Sequence, residues 1–599
     1  MWPVLRVTLA AAALFGVAGF GLVRLLLPAD LRCHEWLWVL PVGACAVAFA
    51  MTPIGFLRVP FAANLAIVSA AAVATSVVAW RRRGLPPRPR LQAYGWPTYL
   101  AALLMAVALV PLFRSGFATV IGDGSDAHLA AGTAEFLRHA APQDTAPELP
   151  VDKVPPLWAS KQAIYYAFAA VSTLAGLETY ETLSALGALL LALATLGMFV
   201  LARDLLGAGV GAAAVAMVIA GLDKMVVHTG IHPYFNQTWG YLTVPFAIVL
   251  AGHAVRSPSR GALALLGLFL VVSAFAYPLA VPIPIWVAGV MWWVARRERR
   301  ARGEHVAGWR DAWRWFRALP RRYRWPSYAV AFLLLSPVWG VVQKITGGSQ
   351  VLINPRWSLQ LWGGDLLGYF PERDFFAIHD AGLWVPALVV IVGFAVWELR
   401  RLPRPAAVGL LSIMVVGALI AASMRARDYG YYFHFKILAF VGPLVIVCAA
   451  VGMARLRRVG AVMLVVWVGW AAAGARDEVA GTFDELPRTV LELRDWSAAL
   501  PAGSSIRLDV QPGAQLWVAY MLADHPLCSQ RPLDDTSYPH VPLSRRADYV
   551  LVRLLRRPYD AVGAPVRANQ EFALYRLAAG LPGGDRCAQE MVQTVSSRG

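Results

Sequence analysis

Apolar residues in this chain run in long blocks, without the spaced periodicity of water-soluble helices or strands. Such blocks occupy Val4–Leu27, Pro60–Trp80, Thr98–Phe113, Thr182–Leu201, Ser327–Val342 and Val459–Ala473, near or above the roughly 17–25 residues that cross a bilayer. Arg-rich loops separate them: Arg81–Arg90, Arg256–Arg260, Arg296–Arg324, Arg400–Arg404 and Arg455–Arg458. Positive loops stay cytoplasmic, which makes Gly116–Glu181, Asp223–Thr238, Thr346–Gly382 and Met424–Lys436 outer loops. The alternation closes only if Lys161–Leu177 is a short helix lying outside and not a crossing. The pattern predicts a polytopic α-helical membrane protein with roughly 12–14 transmembrane helices.

Near Arg476 the pattern changes. Ile506–Val510, Tyr549–Val552 and Phe572–Leu577 read as strands, bounded by Pro501-Ala502-Gly503, Gln511-Pro512-Gly513 and Gly563. Thr489–Ala499 and Ala514–Ala523 read as helices. The chain then divides into N-terminal transmembrane helices (1–96), a transmembrane core (97–474) with a large outer loop (115–181), and a C-terminal extracytoplasmic α/β domain (475–599).

Composition agrees: 58% hydrophobic residues, 15% charged and a mean hydropathy of +0.55 exclude an ordinary soluble globule. A net charge of +18 raises nucleic acid as a partner, but the arginines sit between apolar blocks. The richest loop, Arg296–Arg324, holds eleven Arg against three acids, with Trp309, Trp313 and Trp315 among them. That mixture suits anionic lipid headgroups, so membrane lipids are the expected partner and nucleic acid is not. All five lysines (Lys153, Lys161, Lys224, Lys344, Lys436) fall outside in this topology. Either a compact ammonium is needed there, or codon bias keeps Lys out of the inner loops.

Of the five cysteines, none has metal-ligand or CxxC spacing. Cys33, Cys45 and Cys448 read as packing residues, while Cys528 and Cys587 could pair in an oxidising compartment. The first apolar run lacks an A-x-A-type exit and reads as a retained span. With no Walker loop and no GxGxxG, an ATP-driven pump is disfavoured.

Chemistry concentrates after Thr98–Phe113, in Ile121-Gly122-Asp123-Gly124-Ser125-Asp126-Ala127-His128. Two carboxylates and an imidazole stand where the chain leaves the membrane. An amphipathic helix is expected over Ala127–His139, with Ser125 or Asp126 as N-cap. The plain alternative is a capped surface helix after a glycine turn. A second group, Arg425-Ala426-Arg427-Asp428-Tyr429 with His434-Phe435-Lys436, sets cations among Tyr429, Tyr431, Tyr432 and Phe433. It suits a phosphate above a prenyl chain, or an interfacial belt of snorkelling side chains. Lys224, His228 and His232 form a weaker cluster that reads as a solvated loop. Asp365, Glu372, Arg373 and Asp374 read as loop decoration. Asn236-Gln237-Thr238 fits a glycosylation sequon but abuts a span.

The order of these motifs resembles the GT-C superfamily of membrane glycosyltransferases. Those enzymes open the first large outer loop with an acidic motif, here Asp123, Asp126 and His128. Pro155-Pro156-Leu157-Trp158, Tyr165-Tyr166, Leu201-Ala202-Arg203-Asp204-Leu205-Leu206-Gly207 and Leu500-Pro501-Ala502-Gly503-Ser504 are similar to later family features. The resemblance covers residues 97–599. Two departures are the Asp-x-x-Asp spacing, which leaves open which acid is the base, and the three spans before the motif. The resemblance implies inverting transfer of a sugar from a polyprenyl-phosphate donor to a cell-envelope glycan, lipid or protein acceptor, outside the plasma membrane.

In that reading Asp123 or Asp126 takes the acceptor proton and His128 orients it. Arg425, Arg427, Tyr429, His434 and Lys436, with Lys224 and His228, absorb the leaving phosphate's charge. Some enzymes of this fold use a divalent metal. Asp123, Asp126 and His128 alone are too few donors for a hard-cation cage, and no metal ligand is assigned. The rival readings are an oligosaccharide polymerase or ligase using polyprenyl-linked sugars, and a lipid or solute transporter or flippase. Pro278, Pro282 and Pro284 interrupt Ala262–Val294 in favour of the last; scarce mid-span acids speak against it.

Overall fold

The computed structural model describes residues 2–84, 91–114, 125–142, 162–232, 234–304, 371–427, 431–483, 485–510, 512–528, 547–553, 557–558 and 560–578. It is a helical membrane protein with a small C-terminal sheet. The first helices are α1 (Trp2–Leu26), α2 (Glu35–Phe56), α3 (Phe61–Arg83), α4 (Leu91–Ala108), α5 (Ser125–His139) and α6 (Gln162–Ala175). Next come α7 (Thr179–Val200), α8 (Val210–Gly221), α9 (Lys224–Ile231), α10 (Phe235–Arg256), α11 (Arg260–Ala276) and α12 (Pro282–Ala301). The bundle closes with α13 (Trp384–Leu399), α14 (Arg404–Arg425), α15 (Tyr431–Ala454) and α16 (Arg458–Gly481).

Among the described residues eight helices are long and apolar enough to cross a bilayer, nine if α8 and α9, bent by 61°, form one broken span. Four shorter apolar helices accompany them. The expected span Ser327–Val342 lies outside the described residues. The predicted interruption at Pro278 and Pro282 resolves into separate helices, α11 and α12.

Helix packing follows the rule that small residues let backbones touch where no water drives them together. A methyl built on Gly19 of α1 would lie 1.8 Å from Val39 O, and one on Gly43 of α2 would lie 1.8 Å from Phe15 O. The two helices therefore cross backbone to backbone, and even alanine at either glycine forces them apart.

The bundle has two unlike ends. At one, Arg24 pairs with Glu35 at 2.9 Å and donates to Arg83 O at 2.7 Å. Arg455 there pairs with Glu398 at 2.8 Å, and Arg299 donates to Val255 O at 2.9 Å. Arg296 and Arg297 lie over the half-exposed rings of Trp292 and Trp293, at 5.0 and 4.4 Å. This is the end of the Arg-rich loops. At the opposite end Arg6 donates to Gly176 O at 2.9 Å, and Arg114 pairs with Glu485 at 2.7 Å. Helix α6 is 14 residues long, too short to span. Tyr165 bonds Asn236 at the start of α10, and Gly176 follows its other end, so both ends of α6 sit at this loop-rich end.

The terminal unit carries α17 (Arg488–Ala499), α18 (Pro512–Met521) and strands β1 (Ile506–Asp509), β2 (Leu527–Cys528), β3 (Tyr549–Arg553), β4 (Ala561–Ala568) and β5 (Phe572–Leu577). The sheet order is β2-β1-β3-β5-β4; β1 pairs parallel with β2 and β3, and β5 pairs antiparallel with β3 and β4. Alternation along β3 splits the faces. Leu551 joins the core shared with the bundle, while Val550 and Val552 pack on the far side with Cys528 and Leu577. Gly563, expected to bound a strand, lies inside β4 at φ +69°, within a register irregularity between Val562 and Arg567. A bulge needs that conformation, and glycine supplies it. Cys528 is disulfide-bonded; Cys587 lies outside the described residues. Cys45 and Cys448 are buried as expected, but Cys33 is exposed.

Candidate functional site

The loop-rich end collects charged side chains from segments far apart in sequence. Its centre is the break between α8 and α9. Asp223 is the N-cap of α9, its Oδ1 accepting from Met225 N at 3.1 Å and Val226 N at 3.4 Å. Its Oδ2 accepts from Ala377 N at 2.8 Å. Ala377 holds φ +53°, a conformation alanine adopts only under constraint. One carboxylate thus starts a helix and pins the turn after Glu372–Phe375.

That turn brings Asp374 to Lys224, with Nζ–Oδ2 at 3.0 Å. Burial pushes the Asp374 carboxyl above its ordinary range, against the pull of Lys224 and Arg373. On α9, His228 Nδ1 lies 2.7 Å from Glu478 Oε1 of α16, and the His228 and His232 rings are 4.0 Å apart. Glu478 Oε2 is 4.0 Å from Lys224 Nζ. The cleft beside them is lined by Lys224, Arg373, Asp374, His379, Trp470 and Asp477.

From α15, buried Lys436 donates to Gln237 Oε1 at 2.5 Å. Its Nζ lies 4.4 Å from the Tyr234 ring centroid and 4.7 Å from that of Phe435. Gln237 Nε2 in turn donates to Tyr241 OH at 2.9 Å. Arg425, ending α14, pairs with Glu372 at 2.7 Å. The buried His434 ring has Nδ1 2.9 Å from Ala421 O and Nε2 3.8 Å from Glu372. A carbonyl only accepts, so Nδ1 carries the proton.

These positions correct two expectations and agree with the doubt over the sequon. Lys224, His228 and His232 are not a solvated loop: α9 is a helix with His228 buried, because α16 and the Glu372–Phe375 turn pack over it. Glu372 and Asp374 are not decoration but partners of Arg425 and Lys224. The sequon residue Asn236 is buried and accepts from Tyr165 OH at 2.8 Å, so it cannot carry a glycan in this fold.

Helix α5 starts at Ser125, so Ser125 and Asp126 lie in its first turn and not at an N-cap after which the helix begins at Ala127. His128 is buried and meets the ring of Trp517 from α18 edge-on at 5.9 Å. It stands where the terminal domain docks on α5, beside the Thr179 Oγ1–Tyr520 OH bond of 2.9 Å. Arg427 lies in the turn after α14. Asp123 and Tyr429, like Asp365, Trp158 and Lys344, fall outside the described residues, as does the Asp126 side chain. Sequence reasoning missed Asp223, Gln237 and Glu478. The usable signals were an Asp directly before a helix and an Asp-Glu pair just past an apolar block.

A hard divalent cation fits this cluster poorly. His228, His232 and Glu478 converge within 4.8 Å, but His228 and Glu478 stand at hydrogen-bond distance and Lys224 competes for the same carboxylate.

No protein-family model and no curated protein matches the chain. Among solved structures, the fold is similar to the arabinofuranosyltransferase AftD from Mycobacteria at 14% identity, with a TM-score of 0.42. The match covers 81% of this chain and 40% of that one. A mutant of the same enzyme gives 14% identity and a TM-score of 0.44, over 81% and 41% of the two chains. The chain thus spans about two fifths of the length of the enzyme it matches, and likeness at this level carries no chemistry by itself.

Proposed function

We propose that the loop-rich end is the catalytic face of an inverting glycosyltransferase that takes its sugar from a polyprenyl-phosphate donor. One observation carries this reading: Lys224, Lys436 and Arg425, with the imidazoles of His228 and His434 beside them, converge there from three chain segments, directly above apolar helices. A lipid phosphate needs that combination, with fixed cations at headgroup depth and an apolar wall for the chain below. The Arg-rich end is the cytoplasmic one by the positive-inside rule, which makes this face extracytoplasmic.

In the reaction the acceptor oxygen attacks the anomeric carbon as the bond to the phosphate oxygen breaks. Asp123 or Asp126, at the entry to α5, takes the acceptor proton. Lys436, held by Gln237, and Arg425 hold the phosphate as it leaves. The terminal domain, which meets α5 through Trp517, presents the acceptor in this reading.

The test is sugar transfer by purified protein from pentofuranosyl and hexopyranosyl polyprenyl-phosphate donors, with Asp123→Asn and Asp126→Asn alongside. Transfer, or slow donor hydrolysis, that vanishes in one folded variant establishes the enzyme and names its base. The broken pair α8–α9 favours a second reading, a transporter gated at that bend. Donor binding without turnover, unchanged in both variants, would select it and sink the transferase.

A further inference from the structure

At the Arg-rich end, away from the proposed catalytic face, three ligand-bearing side chains close on one nitrogen. The link between α1 and α2 presents Cys33 and His34. Asp204 reaches them from Leu201–Leu205, where α7 widens into a π-helical turn. Such turns recur where a helix must re-aim a side chain at a functional site. His34 Nδ1 lies 3.1 Å from Asp204 Oδ1 and 3.3 Å from Cys33 Sγ. All three ligand atoms fall within 4.8 Å of one another.

We infer that Cys33, His34 and Asp204 form a binding site for a Zn2+-class cation, with a fourth, solvent-facing position. Geometry is the first reason. Zinc bonds of about 2.0–2.1 Å to N or O and about 2.3 Å to S, arranged tetrahedrally, separate an N–O ligand pair by about 3.3 Å and an N–S pair by about 3.6 Å. The observed 3.1 and 3.3 Å are within a few tenths of an ångström of both edges. Across the bundle, the His228–Glu478 contact of 2.7 Å is too short for such an edge.

Hydrogen bonding gives the second reason. An imidazole Nδ1 has one proton or one lone pair. Protonated, it suits the carboxylate and meets in the sulfur only a weak acceptor, whose own proton goes to Asp30 O over 3.5 Å; bare, it suits the thiol and repels the carboxylate. A cation satisfies all three atoms at once. Third, Asp204 is nearly buried, with 8% of its side chain exposed, and its Oδ2 has no hydrogen-bond partner among the described residues. Neighbouring Arg203 donates through Nη1 to Ala208 O.

The ligand types match the metal: one thiolate, one imidazole and one carboxylate suit a borderline cation more than Ca2+ or Mg2+. His34 is buried and edge-on to Phe199 at 6.3 Å, which fixes its ring, while Cys33 is exposed and leaves an entry path. A cytoplasmic position keeps that thiol reduced. Bound metal would fasten the α1–α2 link to the end of α7.

The test uses purified, chelator-stripped full-length protein and the metals alone. Co2+ should bind at one per chain and show sulfur-to-cobalt charge-transfer absorption, which one equivalent of Zn2+ removes. Zn2+ should also slow alkylation of Cys33 at least tenfold, and chelator should restore it. Cys33→Ser should abolish the absorption, and Asp204→Asn should weaken Zn2+ binding at least tenfold. Absence of the charge-transfer band, or a Cys33 alkylation rate indifferent to Zn2+, would overturn the site. Both of those readouts use the wild-type chain, so they decide even if Asp204→Asn fails to fold.

Discussion

Lys436 Nζ lies 2.5 Å from Gln237 Oε1, joining two helices 199 residues apart in the chain. The amide aims the ammonium, and the rings of Tyr234 and Phe435 flank it. A point charge so placed is hard to replace by a wider cation. Lys436→Gln should raise the donor KM and lower kcat/KM at least tenfold, and Lys436→Arg should recover only a small part. Steady-state kinetics with the lipid-linked donor check this; full recovery by arginine would show that charge alone matters.

Asp374 gives a pH signature. Burial raises its carboxyl pKa above the ordinary value, of about 3.9 in model peptides, so the folded protein holds that proton more tightly than the unfolded chain. Its stabilising contribution is complete below the ordinary value and is lost as pH rises through the folded one. Melting temperature measured against pH should fall across that window more steeply in wild type than in Asp374→Asn. Parallel curves would remove Asp374 from the account.

Docking of the terminal domain rests partly on Tyr520, whose hydroxyl shares a buried hydrogen bond with Thr179. Tyr520→Phe should cost about 1 kcal/mol, read as a modest drop in melting temperature. Trp517→Ala, which also removes the ring facing His128, should cost about 3–5 kcal/mol. Limited proteolysis should then release the terminal domain faster in the second variant than in the first.

Within that domain, buried Arg507 pairs with Asp560 at 2.6 Å and with Asp509 at 2.9 Å. Removing Asp560 takes from a buried guanidinium one of its two carboxylates, and breaking such a pair costs about 3–5 kcal/mol. Asp560→Ala should therefore speed hydrogen exchange in β1 and β3 while leaving α7 and α10 protected. Equal exchange in both regions would mean that bundle and sheet unfold together.

The apolar spans among the described residues were readable in sequence because a bilayer imposes block hydrophobicity and loop charge, both local signals. Strands β1, β3 and β5 were readable from the same kind of local pattern, and β4 was missed because Gly563 looks like a stop. The site was only half legible. Lys436, Arg425 and His434 declared themselves by position, but Lys224 and His228 looked solvated, since their shared partner Glu478 lies some 250 residues away. Asp374 looked ornamental for the same reason. Burial by distant segments leaves no trace in a local window, so a buried charge and a surface charge read alike.

The glycine crossing of α1 and α2 has a mechanical meaning. Two helices locked backbone to backbone at Gly19 and Gly43 cannot slide or scissor without collision, so they move as one rod. Helix α1 alone is about 37 Å long at 1.5 Å per residue. A tilt of one degree imposed at the Cys33–His34 link would then shift the far tip by about 0.6 Å. That tip carries Arg6, whose guanidinium grips the carbonyl of Gly176 at the foot of α7. The paired helices are a lever whose short stroke at one membrane surface is delivered, undiminished by bending, to the other.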